Sequence, residues 1–188
     1  MEEKFIEVYD DIISSQLVDK IHDLTLGTNT EFPWHYKGNL TYSSNDPLYT
    51  LKPGMHHVLY HKGAKQSHYL APFFQILYEF SFKRNLFVED IFRINSYLDL
   101  PNPNPGPDLP PHVDTVHPHF VLLYYINDSE GDTILFEEDE KTIIKKITPK
   151  KGRLIFFDGH IFHCGSTPGT STRAIINYNF LGGELDKK

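Results

Sequence analysis

The hydrophobic pattern changes period once along the chain. Residues 5–9 (Phe-Ile-Glu-Val-Tyr) alternate as in a short strand. Leu17, Val18, Ile21, Leu24 and Thr25 then share one helical face, with Ser14 and Ser15 as possible caps and Gly27 as a stop. Residues 28–64 hold no sustained period and are rich in Tyr, His, Pro, Gly and Asn, which predicts irregular structure with short strands wrapped on the core. Leu70, Phe73, Phe74, Leu77 and Phe80 form the apolar stripe of a second helix, expected over about 65–83. From residue 87 onward the runs become short and β-like, with strands expected near 91–98, 111–114, 119–126, 133–137, 142–147, 153–158, 161–164 and 173–181. Eight short strands separated by regular turns predict a sandwich or barrel, closed by the helices that precede them. Residues 101–111 contain six of the 13 prolines and read as a stiff, extended loop at a barrel mouth.

Composition adds bounds more than detail. At 188 residues the chain is expected to be one domain, with residues 1–86 as helical and irregular support that selects the substrate and 87–181 as the β core. Its net charge is 18 − 25 = −7, which offers no general field for a phosphate backbone. The single cysteine, Cys164, excludes an internal disulfide framework and a Cys-rich zinc ribbon. The opening Met1-Glu2-Glu3-Lys4 does not resemble a signal peptide, and no apolar run approaches the ~18 residues that span a bilayer, so a cytoplasmic protein with no membrane partner is expected. The unusual entity is histidine, present 11 times.

Chemistry concentrates in the β region. His112 and Asp114 are two residues apart, so in a strand both side chains face one side. His163 lies 163 − 114 = 49 residues on, and two histidines with one carboxylate make the facial triad that holds non-haem Fe(II) with open positions. A His-x-Asp tripeptide alone arises often by chance. Arg173 strengthens the pattern: it opens an apolar terminal strand, 173 − 163 = 10 residues after His163, where a guanidinium entering the interior requires an anionic partner. Arg93, Asn95 and Tyr97 share one face of the 91–98 strand, and a polar face on a core strand suits a ligand cavity.

These residues carry a resemblance. His112-Val113-Asp114, the run 121–127 (Val-Leu-Leu-Tyr-Tyr-Ile-Asn), the hairpin 130–136, the run 147–157, His163 and Arg173 together resemble the 2-oxoglutarate- and Fe(II)-dependent oxygenases, within them the prolyl-hydroxylase-like branch, over roughly 91–181. The resemblance implies a double-stranded β-helix (jelly roll), mainly β with N-terminal helices packed on one sheet. It implies Fe(II) on His112, Asp114 and His163, with 2-oxoglutarate as cosubstrate and ascorbate as an optional extra. Its distal carboxylate falls to Arg173, helped by a tyrosine of the pair Tyr124-Tyr125, of which Tyr125 fits the family pattern better. Tyr97, Asn95 and Asn177 are the remaining residues expected at the cosubstrate. The chain departs from the family in having Gly131-Asp132 where a Gly-Gly pair is usual, and residues 1–86 lie outside the resemblance.

The resemblance implies hydroxylation of an unactivated C–H bond, with a peptidyl prolyl residue favoured and a peptide or protein preferred over a small molecule such as a free amino acid. Oxidative demethylation of nucleobases is the competing reading. Asn95-Ser96-Tyr97 matches an Asn-x-Tyr of those cousins, but Asn179 stands where they carry a second arginine and the acidic balance opposes nucleic acid. A non-enzymatic binding module is the third. His117 and His119 are expected at the rim, His160 is a weaker distal ligand than His163, and Cys164 should be a small buried hydrophobe.

Overall fold

A computed structural model of the chain describes residues 5–40, 52–104 and 110–185. The chain opens with β1 (Ile6–Tyr9), α1 (Ser15–Leu26), β2 (His35–Lys37), β3 (Gly54–His61), β4 (Ala64–Lys65) and α2 (Leu70–Arg84). It continues with β5 (Leu86–Asp99), β6 (Phe120–Tyr125), β7 (Thr133–Phe136), β8 (Ile143–Ile147), β9 (Leu154–Asp158), β10 (Phe162–Gly165) and β11 (Arg173–Glu184). One sheet runs β1-β9-β6-β11-β5-β3-β2, with β4 on β3, and a smaller sheet runs β10-β7-β8. Every pairing is antiparallel.

Period-2 alternation on the central strands divides the core in two. On β6, Leu122 and Tyr124 join Ile21, Phe73, Ile76 and Phe80 of the helices in one apolar cluster. Val121, Leu123 and Tyr125 on the same strand join Leu135 and Ile147 of the small sheet in another. The helices therefore cover one face of the large sheet and the small sheet covers the other. α1 begins after Ser14, whose backbone N–H and Oγ both donate to Glu79 at 2.9 Å, which ties the two helices together and leaves no side-chain cap on α1. α2 ends where Asn85 turns left-handed (φ 58), with Lys83 and Arg84 in its last turn.

Four boundaries differ from those expected. α2 starts at Leu70 and not near 65, because Lys62 (φ 48) and Gly63 (φ 76) form a tight turn that folds Ala64 and Lys65 back onto Tyr60 and His61. The stretch without period contains the eight-residue β3, which pairs with β5 with a shift of register between Val58 and Tyr60. β5 begins at Leu86, five residues before the expected 91, since β11 continues to Glu184 and gives those residues a partner. The expected strand 111–114 is a single bridge between His112 and His163: Pro111 has no N–H to extend a ladder. In the proline-rich loop, residues 105–109 lie outside the described residues, while the Asn102 N–H binds the Pro168 carbonyl at 2.9 Å. No helix among the described residues is long and apolar enough to cross a membrane.

β1 is held at the sheet edge by charge as well as by its ladder. Arg84 grips Glu7 through two bonds at 3.0 and 2.9 Å, and Arg153 grips Asp10 at 2.8 and 2.9 Å. The bonds from Arg84 and Arg153 hold the Glu7 and Asp10 carboxyls below their ordinary ranges. A lowered folded value means the pairs contribute fully above the unfolded carboxylate values, about 3.9–4.3, and lose their contribution as pH falls through the folded ones. Glu7→Gln is therefore expected to lower the melting temperature at pH 7 and to approach the parent protein as pH falls below the ordinary carboxylate range, so that its loss on acidification is shallower. Melting curves across that range check it, and parallel losses in the two proteins would remove Glu7 from the account.

Candidate active site

The polar face of β5 and the polar face of β11 lie side by side. In register, Arg173 stands opposite Asp99, Asn177 opposite Asn95 and Asn179 opposite Arg93. Ile91, Ile94 and Leu98, and likewise Ala174, Ile176, Tyr178 and Phe180, point the other way into the helix-side core. The alternation thus places a patch of charge and amide between the sheets.

At one end of this patch stand His112, Asp114 and His163. One ligand atom from each lies within 4.8 Å of the others, the only such group of three among the described residues. His112 and His163 are brought together by two backbone bonds, 3.0 and 2.9 Å, across the isolated bridge. His163 is buried and its Nδ1 binds the Ile161 carbonyl at 3.1 Å, which leaves Nε2 bare of hydrogen and aimed at Asp114, 3.8 Å away. Burial pushes the His163 imidazole down to about 4, so it is neutral near pH 7, as a metal ligand must be. Burial works against the Asp114 carboxylate, but Arg93, His163 and the amide of Asn177 outweigh it and hold the group well below the usual carboxylate range. Asn177 and Asn179 each donate to its Oδ2, at 2.9 and 2.8 Å, and Arg93 donates to Oδ1 and to Asn179. Two imidazoles and an ionised carboxylate, the last fixed by three donors, fit Fe(II) and leave positions open. His112 is 44% exposed, which marks the open side.

At the other end is Arg173, 3% exposed. Its Nη1 donates to Asp99 at 3.0 Å and its Nη2 to Thr133 Oγ1 at 2.8 Å, and the guanidinium lies over the Tyr125 ring at 5.7 Å. Lys52 reaches the same Asp99 oxygen at 3.1 Å. The backbone is bare where the arginine passes: a Cβ on Gly131 would come within 2.9 Å of its Cδ and one on Gly165 within 3.1 Å of Nη1. A narrow cavity of about 100 Å³ joins the two ends, lined by Lys52, Tyr97, Asp99, His112, Asp114 and Arg173. A larger opening of about 760 Å³, lined among others by His61, Lys62, Asp90, Arg93, His117 and Asn179, meets the first at Arg93 and Asp114.

Each expected residue has a defined place. Tyr125 faces the small sheet and donates to Thr133 Oγ1 at 2.6 Å, while Tyr124 faces the helices. Tyr97 lines the narrow cavity and its hydroxyl accepts from Asn95 at 3.0 Å. Asn177 is directed at Asp114 and not toward Arg173. His160 is exposed and bound to Asp158, Cys164 is buried against Ile134, and His117 lines the larger opening. His119, expected at the rim, is instead buried beneath Gly159, with Nδ1 on the His117 carbonyl at 2.8 Å. Four partners were not read from the sequence as parts of the site. Asp99 continues the 93-95-97 alternation by one step and could have been found by it. Thr133 follows the Gly131-Asp132 turn. Asn179 and Lys52 join the site through pairings between distant strands, and Lys52 has no local signal at all.

No family sequence model and no curated protein sequence matches the chain. Solved structures do. A 2OG-Fe(II) oxygenase family oxidoreductase from Burkholderia pseudomallei superposes with a TM-score of 0.67 at 13% identity, over 95% of this chain and 87% of that one. A Pseudomonas putida prolyl-4-hydroxylase gives 0.62 at 15% identity, over 97% and 94%. A Trichoplax adhaerens prolyl hydroxylase, in complex with a hypoxia inducible factor oxygen degradation domain peptide, gives 0.62 at 15%, over 94% and 83%. The two facing antiparallel sheets and the helices behind them are thus the jelly-roll fold of the 2-oxoglutarate- and Fe(II)-dependent oxygenases, with prolyl hydroxylases among the structures it resembles.

Proposed function

We propose that this chain, as one domain, is an Fe(II)- and 2-oxoglutarate-dependent oxygenase that hydroxylates a residue of a peptide, with proline the leading candidate. The observation that carries the reading is the convergence of His112, Asp114 and His163 at one end of a narrow cavity whose other end is cationic. His112, Asp114 and His163 would hold the metal, and Arg173 would grip the distal carboxylate of the cosubstrate, with Tyr125 and Tyr97 beside it. Bound there, metal and cosubstrate supply the oxidising chemistry: 2-oxoglutarate and dioxygen become succinate and CO2, and the remaining oxygen atom enters a C–H bond.

The chain's own residues position and shield. Arg93, Asn177 and Asn179 fix the Asp114 carboxylate so that its rotamer does not have to be ordered when a metal arrives. Tyr125 is buried and its hydroxyl is pushed up by that burial, so it stays protonated and serves as a donor. The substrate would enter by the larger opening. Its charged lining is mixed, with Lys62 and Arg93 against Asp90 and Asp114, which suits a peptide better than a phosphate backbone. One observation favours the nucleobase reading: Arg93 supplies from β5, beside Asn179, the guanidinium that position 179 lacks.

Succinate release in the presence of Fe(II), 2-oxoglutarate and candidate substrates separates these. A proline-containing peptide is expected to stimulate turnover and to gain 16 Da by mass spectrometry. Stimulation by methylated DNA or RNA alone would overturn the peptide reading, and stimulation by a free amino acid would move the enzyme to a small-molecule class.

A further inference from the structure

The cationic end of the narrow cavity carries more charge than one ion pair explains. Lys52, Asp99 and Arg173 are 7%, 3% and 3% exposed. Lys52 Nζ and Arg173 Nη1 both reach Asp99 Oδ2, at 3.1 and 3.0 Å. Among the described residues that bond within this cluster, two cations against one carboxylate leave a net charge of +1 away from water, which is costly unless an anion completes the cluster.

The donors point to where that anion sits. Arg173 Nε is buried and has no hydrogen-bond partner among the described residues. Lys52 has three N–H bonds, and the described residues account for two, to Asp99 and to the Gly165 carbonyl at 3.2 Å. Thr133 Oγ1 accepts from both Arg173 and Tyr125, so its own hydrogen is left to donate. Lys52 and Arg173, the latter bonded to Thr133, line one end of a cavity whose other end is the His112–Asp114 pair.

We propose that Lys52 is a second cationic anchor for the distal carboxylate of the cosubstrate, and that Asp99 is the resident counter-ion that tunes this end to receive one carboxylate. The inference rests on the 2-oxoglutarate reading above and assigns to that site a lysine from outside the strand pair β5–β11. Burial lowers the Lys52 ammonium from its ordinary value, and a carboxylate arriving beside it opposes that shift.

Calorimetric titration of 2-oxoglutarate into protein loaded with Mn(II), a redox-inert stand-in, tests the assignment without turnover. Lys52→Met is expected to weaken binding by about 10- to 100-fold. Lys52→Arg should remain within a few-fold of the parent. Asp99→Asn should bind more tightly, since it raises the local charge to +2, and its melting temperature should rise more on adding 2-oxoglutarate than the parent's does. The double variant Lys52→Met/Asp99→Asn restores +1 and should return toward the parent affinity. A purely structural ion pair predicts another pattern: unchanged affinity in a cooperatively melting Lys52→Met, or weakened binding in Asp99→Asn, and either overturns the proposal. Should Lys52→Met fail to fold, Asp99→Asn alone still decides by the sign of its change. Absence of 2-oxoglutarate binding to the parent protein would sink the cosubstrate reading itself, a result distinct from binding that ignores Lys52.

Discussion

Asp114→Asn is expected to leave the protein folded and to lower Fe(II)-dependent turnover of 2-oxoglutarate by at least about 10³-fold, roughly 4 kcal/mol of lost stabilisation. The substitution keeps the side-chain shape and removes the only negative charge of the donor set. Two imidazoles then face a divalent cation without a carboxylate, and the amide presents a nitrogen where Asn177 and Asn179 already donate. His163→Ala should have a comparable effect through loss of a buried ligand. His160→Ala should have little, because that ring is exposed and turned to Asp158. Direct Mn(II) titration separates a lost metal from a lost reaction. Full activity in His163→Ala with loss in His160→Ala would transfer the distal position to His160.

The asymmetry between His163 and His112 gives that test an internal control. His163 is fixed by its bond to the Ile161 carbonyl and by burial, whereas His112 is 44% exposed and rests on a single bridge beside Pro111. Its proline-rich approach, which cannot form a ladder, frees the backbone to bring His112 and Asp114 to one metal-sized space without a regular strand.

The sequence made the inner strands legible because they are short apolar runs bounded by turn residues. β6 places Tyr124 and Tyr125 on opposite faces, and β11 separates Ala174, Ile176, Tyr178 and Phe180 from Arg173, Ile175, Asn177 and Asn179. Spacing also brought His112, Asp114, His163 and Arg173 to attention, since each lies at a fixed place in a β grammar that short turns punctuate. β3 was hidden because Met55, His56 and His57 set up no apolar period, and its partner β5 is more than 20 residues on, with a register shift between Val58 and Tyr60. The turn at Lys62-Gly63 was missed because a left-handed lysine is a weaker turn signal than asparagine. What one chain position cannot disclose is pairing across the sheet. Arg93 finds Asn179 only because β5 and β11 are neighbours in that register, and Lys52 finds Asp99 only because β3 runs beside β5.

Arg173→Met should raise the concentration of 2-oxoglutarate needed for half-saturation by about 100-fold or more, near 3 kcal/mol, while Mn(II) affinity stays within a few-fold of the parent. The selectivity follows from position: Arg173 touches Asp99, Thr133 and the Tyr125 ring but none of the three residues proposed to hold the metal. Fold is expected to survive, because Lys52 remains to neutralise Asp99 and methionine fills part of the space between Gly131 and Gly165. The remaining pair is neutral, so a bound carboxylate would bring a net negative charge into a buried cavity, and that is the origin of the loss. Gly165→Ala, which pushes a methyl against Nη1 at 3.1 Å, should move affinity in the same direction by less. Separate titrations of metal and of 2-oxoglutarate into Arg173→Met decide the matter. Unchanged 2-oxoglutarate affinity would remove Arg173 from the site, and joint loss of metal and cosubstrate would make its role structural.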